Sequence, residues 1–131
     1  MSSNSLILKP ACLKTLSAVE ARPERSNQHE FNGVSQLKDM FGLGKFEKTA
    51  VFHLRGEPVS DHAKVTWYDA RADHPTRTEY RLYFQGNAVM DQAQEGDNIL
   101  IGFDRAGVLN CILIKTGTEG YKANIPSWQA V

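Results

Sequence analysis

The chain has 131 residues, 41% of them hydrophobic and 23% charged, and fifteen basic against fifteen acidic side chains give a formal net charge of zero. That length suits one domain with a proper hydrophobic core and is short for two. Zero net charge argues against a non-specific nucleic-acid binder, whose affinity comes from neutralising phosphates, but it permits a reader that gathers a few arginines on one surface.

A first strand ends near Lys14, whose ammonium is a candidate phosphate contact. A polar excursion from Ser17 to His29 follows, carrying Arg22, Arg25, Asn27, Gln28 and His29. From Ser35 to Phe41, Leu37, Met40 and Phe41 recur at helical spacing, with Ser35 as N-cap and Gly42 as stop. Period-two alternation then predicts strands. Ala50, Phe52 and Leu54 share one face, as do Ala63, Val65 and Trp67, and then Tyr80, Leu82 and Phe84. A second polar excursion, Asp69 to Arg81, separates the last two of these strands and carries Arg71, His74, Arg77, Thr78, Glu79 and Arg81. A shorter helix is expected over about Ala88 to Ala93. The runs Asn98–Phe103 and Val108–Lys115 are almost continuously apolar, as strands covered on both faces are, and Asp104 to Gly107 reads as the hairpin turn between them. Roughly seven strands with one or two short helices predict a mainly β fold, a small closed or half-closed barrel plugged at its ends.

No apolar run approaches the ~18 residues of a membrane helix, and Leu6-Ile7-Leu8 is too short for a signal-peptide core. The chain is therefore expected in the cytoplasm. Cys12 and Cys111 both lie among apolar residues, as free thiols do in a reducing compartment, and no zinc-ligand spacing is present.

Long polar loops on rigid barrels commonly carry function. The residue types here are those that read base edges: arginine donates twice to guanine, asparagine and glutamine match adenine, and glutamate accepts from cytosine. Arg77, Glu79 and Arg81 would share one face if the strand extends through all three. The plain alternative is a solvated strand face with internal charge pairing. Tyr80, in phase with Leu82 and Phe84, has core packing as its default role, and Trp67 likewise. A Mg²⁺ nuclease would need clustered carboxylates followed by Glu/Asp-x-Lys. The nearest approach is Glu79-Tyr80-Arg81 with Asp69 and Asp73 upstream, and it lacks the lysine. Neither a nucleophile elbow nor a P-loop is present, and no catalytic residue or cofactor is expected.

Two stretches carry a resemblance. Lys14-Thr-Leu-Ser-Ala18 followed by His29, and Trp67-Tyr-Asp-Ala-Arg71 leading into Thr76-Arg-Thr-Glu-Tyr-Arg81, resemble the N-terminal effector domain of the EcoRII restriction endonuclease. Glu95-Gly-Asp-Asn-Ile-Leu-Ile-Gly-Phe103 is similar to the Gly-Asp signature of plant B-three-type DNA-binding domains. The resemblance covers about residues 12 to 116 of one domain. The resemblance implies a seven-stranded DNA-binding pseudobarrel that grips duplex DNA in the major groove with two arms, roughly Ser17 to Asn32 and Arg71 to Arg81. It also implies base contacts from His29, Glu79, Tyr80 and Arg81, with Arg77, Arg71 and Lys14 at matching positions. Tyr80 and Pro75 both stand where that family has lysine. The implied role is regulatory: a bacterial, non-catalytic domain that binds a site such as CC(A/T)GG and controls a fused nuclease domain. The competing expectations are a Mg²⁺-dependent nuclease centred on Asp69, Asp73 and Glu79, and a barrel-shaped protein-interaction module.

Overall fold

A computed structural model describes residues 7–21 and 29–131. The alternating apolar positions form one eight-stranded sheet: β1 (Ala11–Thr15), β2 (Glu30–Phe31), β3 (Phe46–Leu54), β4 (Val59–Asp69), β5 (Tyr80–Phe84), β6 (Asn98–Phe103), β7 (Leu109–Ile114) and β8 (Gln129–Ala130). The order across the sheet is β2-β5-β4-β3-β7-β6-β1-β8. Among the described residues only the β3–β7 pair is parallel, with Phe52 beside Cys111. The sheet curls into a half-barrel, so the mainly β, pseudobarrel-type reading of the sequence holds. The strand count is one higher than expected, and two of the eight are two-residue strands, β2 and β8, that no periodicity could reveal.

The inward positions of the long strands make the core. Phe52, Val65, Trp67, Leu82, Ile99, Ile101 and Leu113 have no accessible surface. Every residue of β7 is buried, as its continuous apolar run predicts. Its outward Ile112 and Ile114 are covered by a second cluster with Leu8, Ala11, Leu13 and Ile125. Asp97 pins the turn before β6: it accepts from Gln94 N, from Thr116 N and Oγ1, and from Lys115 Nζ.

The helical segments are single turns. A short helix α1 (Ala18–Ala21) follows β1, and a 3-10 turn over Val34–Leu37 runs into α2 (Lys38–Phe41). Gly42, at φ 80°, stops α2 as expected. The N-cap differs. Gly33, in the left-handed region, occupies it, and Ser35 lies inside the first turn. The expected helix after Asn87 is a 3-10 turn over Met90–Gln92, capped by Asn87 Oδ1, which accepts from the amides of Val89 and Met90.

The two edges of the half-barrel are joined by side chains. Trp128 Nε1 donates to the Asn32 carbonyl at 2.9 Å, and its indole meets Phe31 edge-on. In β1, alternation turns Lys14 to the same side as Cys12, toward the barrel interior. There the ammonium is buried and pairs with Glu20 Oε1 at 2.5 Å. Glu20 also accepts from Ser17 N and, through Oε2, from Asn32 N, while Ser17 Oγ accepts from Glu20 N. The Ser17–Glu20 exchange is a capping box that starts α1. One buried carboxylate thus ties β1, α1 and the residue after β2. The polar excursion expected from Ser17 therefore begins as a helix, and Lys14 is a structural cation with no exposed charge to offer a phosphate.

Candidate nucleic-acid interface

The second arm leaves β4 at Asp69 and re-enters the sheet at Tyr80. Asp69 shapes both ends of it: Oδ1 accepts from Arg71 N at 2.9 Å and from Glu79 N at 2.7 Å, and Ala70 N donates to the Glu79 carbonyl. The tip is organised by His74 Nδ1, which accepts from the amides of Thr76 and Arg77. Residues 71–78 are all exposed. These local bonds make the arm a built projection whose backbone is restrained at base and tip.

Glu79 is the hub of its charges. Oε2 accepts from Arg81 Nη2 at 2.7 Å and Nε at 3.0 Å, and Oε1 accepts from Arg71 Nε at 3.4 Å. The bonds from Arg81, then Arg71, hold the Glu79 carboxyl below its usual range. Arg81 donates its remaining group, Nη1, to the Tyr83 hydroxyl and lies 3.9 Å from Glu30. Its hydrogen bonds to Tyr83 and Glu79 raise its already high pKa further. Tyr83 stacks on Tyr68 across the β4–β5 pair, and the hydroxyl contact between the two rings raises Tyr68. Burial raises the Glu30 carboxyl against the opposing pull of Arg81.

Each of the three nitrogens of Arg81 therefore makes a bond within the protein, whereas Arg71 is contacted through Nε alone. Among the described residues the terminal nitrogens of Arg71 have no hydrogen-bond partner, and neither does the Arg77 side chain. A guanidinium with both terminal groups open can donate twice to guanine O6 and N7.

Two expectations change here. Arg77, Glu79 and Arg81 do not form one strand face, because β5 begins at Tyr80 and the first two lie in the arm. Tyr80 keeps the inward phase: it stacks on Trp67 at 4.7 Å and its hydroxyl donates to the Leu43 carbonyl, so its ring is not offered outward. Thr78 is exposed on the arm. His29 packs edge-on against Phe84 and beside Gly86, where a Cβ would come within 3.3 Å of its ring, and its buried Nδ1 has no partner among the described residues. Arg22, Arg25, Asn27 and Gln28 lie outside the described residues.

The first arm's segment returns to the sheet at His29, whose carbonyl accepts from Phe84 N, while the second arm enters at Tyr80. His29 and the root of the second arm thus lie beside opposite ends of β5, at Phe84 and Tyr80, four residues apart, which is about 13 Å along a strand. Between them the outward side chains are Glu30, Arg81, Tyr83, Tyr68 and Thr66. Asp69 and Glu79 are committed to the amides and guanidinium groups described above. Among the described residues, no group of three or more His, Cys, Asp or Glu side chains is placed to hold a metal ion.

No protein-family model matches the chain, and no curated protein matches it in sequence.

Sequence reasoning missed Tyr68, Tyr83 and Glu30 around Arg81 and Glu20 at the seam, and it offered Asp69 as a nuclease carboxylate, not as the clasp of the arm. Ser17-x-x-Glu20 and the aspartate at the loop entry were visible signals for two of them.

Proposed function

We propose that this chain binds double-stranded DNA sequence-specifically, with the second arm entering the major groove and Arg71 as its principal base reader. The observation that carries this reading is the guanidinium of Arg71 on an exposed arm, 3.4 Å from Glu79 through Nε and, among the described residues, open at both terminal nitrogens. The separation of the two arm roots along β5 supports it, since about 13 Å along a strand is close to the ~12 Å width of the major groove. Arg81 positions Glu79 in this reading, and Arg77 is a further donor at the arm tip.

The finer assignment rests on the resemblance of residues 14–29, 67–81 and 95–103. It is a regulatory domain of a restriction enzyme that recognises a site such as CC(A/T)GG and is coupled to a separate nuclease domain. The physical requirement is linkage: DNA held here must shift the catalytic unit's equilibrium.

Selecting bound sites from a randomised duplex pool tests the core claim. One enriched short motif, bound far more tightly than scrambled duplex, is expected. Equal affinity for all duplexes refutes it. A protein-interaction role gains weight from the internal pairing of Arg81, which leaves the strand face between the arms close to neutral. In that case the backbone resonances of residues 70–79 would stay unmoved on addition of any duplex.

A further inference from the structure

The barrel end beside the second arm carries three lysines that form no ion pair among the described residues: Lys38, Lys45 and Lys48. Two of them rest on aromatic rings. Lys38 Nζ lies 5.5 Å from the centre of Tyr80, and Lys48 Nζ lies 5.1 Å from Phe46 and 5.5 Å from Phe103. Lys45 is exposed in the glycine-flanked turn between α2 and β3. Beneath them, Tyr80 stacks on Trp67, Trp67 packs on Phe41, and Phe41 meets both Phe46 and Phe103. A ring-backed ammonium keeps its charge in solvent while its stem is held in place, which lowers the ordering cost of a contact.

The same turn is attached to the arm. The Tyr80 hydroxyl donates to the Leu43 carbonyl at 3.0 Å, and Tyr80 directly follows Glu79, the residue that holds Arg71. The nearby carboxylates do not neutralise the lysines. Glu47 pairs with Lys64, and Asp39 faces the groove around Cys12, where burial and then the Asp39 charge raise the thiol pKa.

We propose that Lys38, Lys45 and Lys48 form a second, sequence-independent contact that takes the phosphate backbone of the duplex flanking the groove read by the second arm. The proposal rests on the DNA-binding reading above. Lysine suits this task because a compact ammonium meets phosphate as a point charge and asks for no particular base. It also accounts for how a chain of zero net charge would collect phosphate contacts: these three lysines form no ion pair among the described residues.

The test uses the full chain, the duplex recovered by selection, a scrambled duplex, and the K38Q/K45Q/K48Q variant, with affinity measured across a range of potassium chloride concentrations. The variant should bind both duplexes more weakly, with the slope of log affinity against log salt shallower by about 0.9 for each phosphate that is no longer neutralised. The ratio of selected to scrambled affinity should be unchanged, and so should the thermal midpoint. An unchanged slope in a variant that still prefers the selected duplex overturns this proposal and leaves the DNA reading standing. If the unsubstituted chain binds no duplex, both fall. Vesicles containing phosphatidylserine provide the remaining arm: lysine-dependent binding to them, with duplex affinity intact in the variant, assigns the patch to an anionic membrane surface and overturns the proposal.

Discussion

Replacing Glu20 by alanine tests how the half-barrel is closed. The substitution removes the acceptor of three bonds, from Lys14 Nζ, Ser17 N and Asn32 N, and leaves the Lys14 ammonium inside the seam with 6% of its side chain exposed. Breaking a buried pair by deleting one partner costs about 3–5 kcal/mol, because the surviving charge keeps its desolvation penalty without compensation. At roughly 2.1 cal/mol/K of unfolding entropy per residue, a chain of this length loses about 3–4 °C of thermal midpoint per kcal/mol. Glu20→Ala should therefore melt about 10–18 °C lower, by differential scanning calorimetry or by loss of tertiary circular dichroism. The double variant Lys14→Met/Glu20→Leu should recover most of that loss, since replacing both charges by apolar groups removes the stranded ammonium. A shift of only about 1 kcal/mol in Glu20→Ala, the scale of an exposed pair, would refute a buried clasp at the seam.

Three further outcomes follow from the geometry. Arg71→Ala should weaken binding to the selected duplex by about 1–3 kcal/mol and relax preference at one base pair in a mobility-shift series, and Arg71→Lys should not restore it because an ammonium lacks the planar fork. Asp97→Asn should lower stability at neutral pH and flatten the acid limb of a denaturation-versus-pH curve. Burial pushes the Asp97 carboxyl up, but bonds from Lys115, Thr116 and Gln94 outweigh that and hold it below its usual value. Its contribution is thus present above the unfolded value of about 4 and is lost as pH falls through the lower folded value. An unaltered acid limb would contradict that account. Gly102→Ala should destabilise by about 1–3 kcal/mol in urea. The added Cβ would stand 2.6 Å from the Pro10 carbonyl oxygen and 2.8 Å from the Ala11 Cβ, forcing β1 and β6 apart.

Much of the scaffold was legible without coordinates. Alternation in β3, β4 and β5 reports which side chains face inward, and Trp67, Phe52 and Leu82 are fully buried as their phase requires. The covered run of β7 and the stop at Gly42 were equally plain. The candidate site was legible only as a pair of polar segments. Lys14 looked like a solvent-facing charge because its neighbours in sequence say nothing of Glu20, six positions on and reached through a helical turn. Arg81 looked like a reader because its engagement depends on Tyr83 and Glu30, and the latter belongs to a strand far away in the chain.

The order of residues by itself determined the β character of the chain, the inward faces of its long strands, and where two polar excursions interrupt them. These are consequences of local periodicity and turn chemistry, which act between near neighbours. The partner of each charge was decided only by the fold. Ion pairs and hydrogen bonds form across strands and seams brought together by non-local pairing, so whether a guanidinium is occupied, as in Arg81, or open at its terminal groups, as in Arg71, depends on tertiary contacts that local pattern does not encode.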